Sequence, residues 1–509
     1  MHPSLRVLAL VTGVTAVAAC GGAKGDDPAT TPATTTTSTP SSDTGPLDSG
    51  PTDSGTVPLT VTHEASGDPH IARIELTPGV PGPTAVSCSA GGDEQLLWEF
   101  AATGDDAELI GLLEDTVYDC TLVDLTTDDR AHFTVDTPDG IAPTTTVTTH
   151  SSLTTAGPPF LMVNTNDQCG WDITPTLRIY DIDGRARWSH RMPTEVNLAI
   201  EARYHGDGQV VWGGGYHPDH ALQYLHLDHS IAETLGQELA PDATMFHHDG
   251  KLLDDGTELI LAETPNTDGA ATWLGWRAIG IGGSWTGQLD SQTLFDAGLL
   301  PAGIDGDDAY HANWIDLVDD VLYVSQCFTD EILALDPTTG DQHWRIGPGP
   351  GSLQLVDSSG SPLPADALPM CQHGLEVRGD QVLIYDNGRY PDRDFSRAMG
   401  LRVDPGAGTA TLEWSYSEPD WFENAMGDID DLGDGRVLVH MAHVECWGLF
   451  SDQTTTIELD TATQEVVWRM VFDSPDVASY RAERVDTCDA MPHVRYCDGV
   501  ADRLDALGL

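Results

Sequence analysis

The chain has little positive charge. Lysine and arginine together number 23 in 509 residues, against 81 aspartates and glutamates, a formal net charge of −58. That balance argues against a nucleic-acid binder, which needs basic patches facing phosphate. It argues equally against a protein held on an anionic membrane surface by its own charge. Any anionic substrate must be drawn in by a local positive site, because the global field repels it. No CxxC spacing occurs, which argues against a zinc ribbon. No long amphipathic helical pattern is evident. The apolar stretch within residues 1–20 is too short and too rich in small residues to span a bilayer.

Residues 1–20, MHPSLRVLALVTGVTAVAAC, read as an export signal. The ending Val17-Ala18-Ala19-Cys20 resembles the lipobox of bacterial lipoproteins. That resemblance implies a lipid on Cys20 and anchoring to the bacterial outer membrane, on its periplasmic or outer face, with no other membrane contact. Residues 21–56 are Thr, Ser, Pro, Gly and Asp with almost no large apolar side chain, so they cannot offset their ordering entropy and read as a flexible tether. Eight cysteines follow: Cys88, Cys120, Cys169, Cys327, Cys371, Cys446, Cys488 and Cys497. An even count downstream of an export signal reads as disulfides in an oxidising compartment. By position, Cys88–Cys120 and Cys488–Cys497 are natural pairs, the first able to bridge two sheets.

The expected fold is all-β. Residues 57–138 alternate in short runs such as IARIEL, LLWEF and YDCTLVDL between Gly/Pro/Asp turns, the pattern of a β-sandwich. The arrangement resembles an immunoglobulin or fibronectin type III module, and its expected role is that of a spacer. Residues 139–509 carry a loose repeat: an apolar strand, an Asp, a Gly-containing turn, then a strand often ending in Trp. Clear copies end at Trp188, Trp344, Trp414 and Trp468, and weaker ones lie at LHLDHSIAETL and near Gly280–Leu289. Hairpin repeats of this size are the mark of a β-propeller, here of six blades, with the Trp packing between blades.

Histidines recur at the mouths of apolar strands: His247 and His248 in FHHDGKLLDDG, His311 beside Asn313 in HAN, and His373 beside Gln372 in QHG. The order HHD, HxN, a DPTTGxxxW hairpin, QHG and a strand ending DNG resembles the bacterial arylsulfotransferases. The resemblance implies a six-bladed propeller behind a small β domain. It also implies transfer of a sulfuryl group from a phenolic sulfate ester to a phenol, without the nucleotide donor PAPS and without metal or other cofactor. Carried onto this chain, His373 is the nucleophile that becomes sulfated, and His311 and His248 are the remaining catalytic histidines. His247 and Asn313 are expected to bind substrate. The chemistry suits the residue types. Sulfuryl transfer spreads charge over three oxygens as phosphoryl transfer does, and an imidazole can both attack sulfur and move a proton near neutral pH.

One departure stands out. Where the family has an SSR-like sequence whose arginine binds the sulfuryl oxygens, this chain has Ser325-Gln326-Cys327. Arg389, directly after DNG, is the candidate substitute. Cys327 and Cys371 fall on neighbouring motif segments and are able to pair. These features sustain an alternative, a cell-surface propeller that binds a ligand without turnover. His205, His217, His220, His226 and His229 lie in a Gly/His-rich region whose spacing spans several strands, and no metal site is expected there. The turns Asp181–Gly184 and Asp428–Gly435 lack a full calcium-ligand run and read as Asx turns. The tryptophans read first as blade-packing core, with Trp314, Trp421 and Trp447 able to flank a phenol.

Overall fold

The structure is a computed structural model that describes residues 59–64, 68–101, 104–140, 142–149, 155–166, 175–192, 201–213, 220–236, 238–303, 308–389, 391–442 and 453–509. The export signal, Cys20, the tether, Cys169, Cys446, His217 and Trp447 lie outside the described residues.

Two sheets form the N-terminal β layer pair. One has three strands, Thr60–Glu64, Ile71–Val80 and Gly104–Ile110, and the other four, Gln95–Phe100, Thr84–Ser89, Val117–Asp124 and Arg130–Asp136. Their alternating inward residues, including Ile74, Leu109, Val86, Trp98 and Leu122, make one buried core. Cys88 and Cys120 are disulfide-bonded, but they face each other on adjacent strands of the same sheet. The bond therefore staples one sheet and does not bridge two. Period-2 patterning assigns a face to each residue but not a neighbour to each strand.

Six sheets follow, the blades of a propeller, each built on four antiparallel strands, with a fifth strand added at the outer edge of blades five and six. From blade two to blade six the innermost strands are Glu201–Tyr204, Met245–Leu252, Ala312–Val318, Leu375–Arg378 and Asp428–Gly433. Blade one is closed late in the chain. Its strands Phe160–Asn166, Thr176–Asp181 and Ala186–Arg191 take their innermost partner from Ala478–Val485. An upstream strand, Thr145–Thr149, adds a fifth outer strand to blade six. Each end of the propeller segment is thus paired into the ring.

The four clear Trp residues all fall on the fourth strand of their blades counted from the centre, in Ala186–Arg191, Gln342–Ile346, Thr409–Tyr416 and Glu465–Phe472. Trp188 donates from Nε1 to the Leu227 carbonyl of blade two at 2.7 Å, and Trp468 donates to the Ile182 carbonyl of blade one at 2.8 Å. Both rings are fully buried. Each contributes apolar burial worth at least the ~1.5–3 kcal/mol of a core side chain, and each satisfies its polar edge across a blade boundary. The helices described are short, Ser291–Asp296 and Val500–Leu507. No helix among the described residues is long and apolar enough to cross a membrane.

Candidate active site

Three histidine motifs sit at backbone kinks in or just before the innermost strands of their blades. In blade three the register shifts between Phe246 and Gly250, and in blade four between Ala312 and Trp314. His248 and His311 sit at φ +61° and +48°, and Cys371, two residues before His373, at φ +47°. Non-glycine residues in this region cost on the order of 1 kcal/mol each and persist where the surroundings hold them. The kinks turn the imidazoles off the blade faces and toward one another. The glycine of QHG has a plain steric reason: a Cβ on Gly374 would lie 2.5 Å from the Cα of Asp428 on blade six.

His247, His248 and His311 form a row, with ring centroids 4.7 and 4.5 Å apart. His248 and His373 each stand 6.3 Å from the Tyr480 ring, which the closing strand supplies. His247, His248 and His373 are buried; His311 is partly open and carries the exposed Phe328 ring stacked on it at 4.5 Å.

The hydrogen bonds assign protons. His373 Nδ1 lies 2.9 Å from Asn387 Oδ1 and 3.0 Å from the Cys371 carbonyl, both acceptors, so Nδ1 carries the hydrogen. Asn387 is itself oriented, its amide donating to the Glu423 and Met426 carbonyls. The lone pair of His373 is left on Nε2. His311 Nδ1 lies 2.7 Å from Asp308 Oδ2, and its backbone N–H donates to the other oxygen at 2.9 Å. That geometry holds the ring.

Burial, with the charges of His311 and Arg481, lowers His373 to about 3 against the raising effect of its two hydrogen bonds. Burial first, then the charges of His311, His247, His373 and Arg481, holds His248 well below the usual histidine value. Burial lowers His247 to about 4. For Asp308 burial opposes ionisation, but the hydrogen bond and charge of His311 outweigh it and keep the carboxyl low. The pocket therefore holds neutral imidazoles around the His311–Asp308 pair.

The other expected site residues fall close by. The Asn313 side chain donates to the Gln372 carbonyl at 2.8 Å, tying the HAN segment to the QHG segment. Arg389 pairs with Asp330 at 2.8 Å and donates to the Cys327 carbonyl at 2.7 Å. Cys327 and Cys371 are disulfide-bonded, as are Cys488 and Cys497. Trp314 and Trp421 are buried, the first under Lys251 and the second against Tyr385, so both pack the core. The Asp181 and Asp431 side chains cap their own turns, accepting from Asp183, Arg185 and Gly433 N–H groups. His229 is engaged with Asp68 and His190. Asp308, Asn387, Phe328, Tyr480 and Arg481 were not among the expected site residues. Asp308 had a local signal in its i, i+3 spacing to His311, and Asn387 had one as the asparagine of DNG.

A six-bladed ring that gathers the neutral imidazoles of His247, His248 and His373 around a histidine backed by a carboxylate defines a class of protein suited to nucleophilic group transfer. Residues 298–481 match the family model of the arylsulfotransferases (ASST), the family indicated by the histidine motifs. The match supports aryl sulfotransferase activity in general, and the family implies small aryl sulfates and phenols as substrates. No curated protein matches the chain. Among solved structures, a protein described as a 6-phosphogluconolactonase from Bacteroides uniformis is 12% identical over 79% of this chain and 99% of its own, with a TM-score of 0.37. AztD from Citrobacter koseri is 10% identical over 80% and 99%, with a TM-score of 0.31. Hsv2p from Kluyveromyces lactis is 7% identical over 84% and 99%, with a TM-score of 0.29. At these values the likeness adds nothing to the ring of sheets already described.

Proposed function

We propose that this protein is a PAPS-independent sulfotransferase that moves a sulfuryl group from a phenolic sulfate ester to a phenol through a sulfohistidine on His373. The observation that carries the reading is the convergence of His248, His311 and His373, with a tautomer of His373 that leaves Nε2 as the nucleophile. Nε2 attacks sulfur, the sulfur–aryl oxygen bond breaks, and the departing phenolate takes a proton from the His311 imidazolium. His311, now neutral, then takes the proton of the acceptor phenol. The new phenolate attacks sulfur, the N–S bond breaks, and His373 is regenerated while His311 is again protonated. His248 lies beside His311 and donates to the sulfuryl oxygens, where negative charge grows. The exposed Phe328 ring offers an aryl group a stacking face beside the acid.

The reading includes export through the signal-like residues 1–20, a sandwich over 57–138 and the transferase ring over 139–509, tethered through a lipid on Cys20. Disulfides fit an oxidising compartment. The test is transfer from 4-nitrophenyl sulfate to phenol by the full chain. His373→Asn should abolish nitrophenol release, and release at an unchanged rate would remove His373 from the role.

A further inference from the structure

Arg481 is a buried arginine on the strand that closes the ring, with a side chain 4% exposed. Its contacts lead to all three histidine motifs. Its Nη2 donates to the Asn313 carbonyl at 3.0 Å, and its Nη1 lies 3.5 Å from Asp249 Oδ1. Asp249 directly follows His248, and its second oxygen accepts from the Ile315 N–H at 2.8 Å, which joins blade three to blade four. Asn313 follows His311 by two residues, and its amide reaches the carbonyl of Gln372, the residue before His373. One guanidinium is thus linked, directly or through one side chain, to every segment that presents an imidazole.

The backbone at this point is held as firmly. The Tyr480 and Arg481 N–H groups both donate to Asn164 Oδ1, at 2.8 and 3.1 Å, where the register shifts between Ser479 and Ala482. The kink turns Arg481 inward, away from the blade face. Arg389 is placed differently. Its side chain is 35% exposed and engaged by Asp330 and the Cys327 carbonyl.

We propose that Arg481 is the positioning residue of the pocket: it holds the three imidazole segments in register and aims the pocket's fixed positive charge at them, in a chain that carries cysteine at position 327. The proposal takes its chemistry from the sulfuryl-transfer reading, but the linkage it names is independent of turnover. The Arg481 cation adds to burial in keeping His373 unprotonated. Burial is the first cause that lowers His248 and His373, and the Arg481 charge acts in the same direction on both.

The experiment compares full-length wild type, Arg481→Met and Arg481→Lys, each checked for folding by its melting transition. Two readouts are taken: the imidazole titration of His373 by NMR, and kcat and KM with 4-nitrophenyl sulfate. The groups facing His373 are His311, His248, Tyr480 and Arg481, with Asp308, Asp249, Lys251 and His247 behind them and Asn387 on its own blade. Arg481→Met should raise the titration midpoint of His373 and lower kcat by about 100-fold or more with a much smaller change in KM, the size expected for a lost charge-stabilising group. Arg481→Lys should keep the low midpoint and restore part of kcat. An unmoved midpoint in Arg481→Met overturns the proposal whatever the turnover. If Arg481→Met fails to fold, Arg481→Lys decides: a raised midpoint there, with the cation retained, overturns it. Wild type that titrates as expected but transfers no sulfuryl group refutes the sulfotransferase reading and leaves the linkage standing.

Discussion

The His373 Nδ1–H donates to Asn387 Oδ1 at 2.9 Å, and Asn387 is pinned in turn by the Glu423 and Met426 carbonyls. The asparagine of the DNG strand end is therefore what sets which nitrogen of His373 can attack. Asn387→Leu removes the acceptor while keeping similar bulk. It should lower kcat/KM for 4-nitrophenyl sulfate by about 10- to 100-fold, the usual cost of losing a group that orients a reactive imidazole. Turnover within about threefold of wild type would mean that the Cys371 carbonyl suffices to hold the tautomer.

Phe328 is exposed and stacked on His311 with an interplanar angle of 13°. Phe328→Ala should raise KM for aryl sulfates by about 3- to 10-fold, matching the ~0.5–1.5 kcal/mol of an aromatic pair, with little change in kcat. Initial rates with a series of ring-substituted esters are the check.

The Cys327–Cys371 bond closes a loop of sequence separation 44 between the segments that follow HAN and precede QHG. The double variant Cys327→Ser with Cys371→Ser should be less stable by about 2–4 kcal/mol. Denaturant unfolding measures this, and an unchanged midpoint would show the bond to be dispensable to stability.

Buried neutral histidines also set an acid limit on stability. Burial holds His440 at about 3, between Thr456 and Ser479, and burial with neighbouring charges holds His373 at about 3. Both lie below the ordinary value of 6.5. Between those values the unfolded chain binds more protons than the folded one, so stability is full above the unfolded value and falls as pH drops through the window. The melting temperature should decline from pH 6.5 toward 3. A folded His440→Asn protein should show a shallower decline, and an unchanged slope would contradict the assignment.

Much of the ring was legible because its repeat is local. A Trp that ends a hairpin, such as Trp188 or Trp468, lies on an outer strand, and Asp–Gly turns mark the reversals. The histidine motifs were legible for the same reason, each lying within a few residues of its own kink. Arg481 and Tyr480 were not. They enter the pocket because the last blade strand pairs with Phe160–Asn166, more than three hundred residues upstream, and nothing near Arg481 announces that partner. The Cys88–Cys120 geometry was hidden likewise, since strand neighbours are a property of topology and not of alternation.

The most direct measurement is peptide mapping by mass spectrometry of full-length protein quenched during reaction with 4-nitrophenyl sulfate without acceptor. A sulfuryl group carried on His373, and lost when phenol is added, is the expected result. A sulfuryl group on another residue, or transfer to phenol with no labelled protein at any time, would contradict the mechanism.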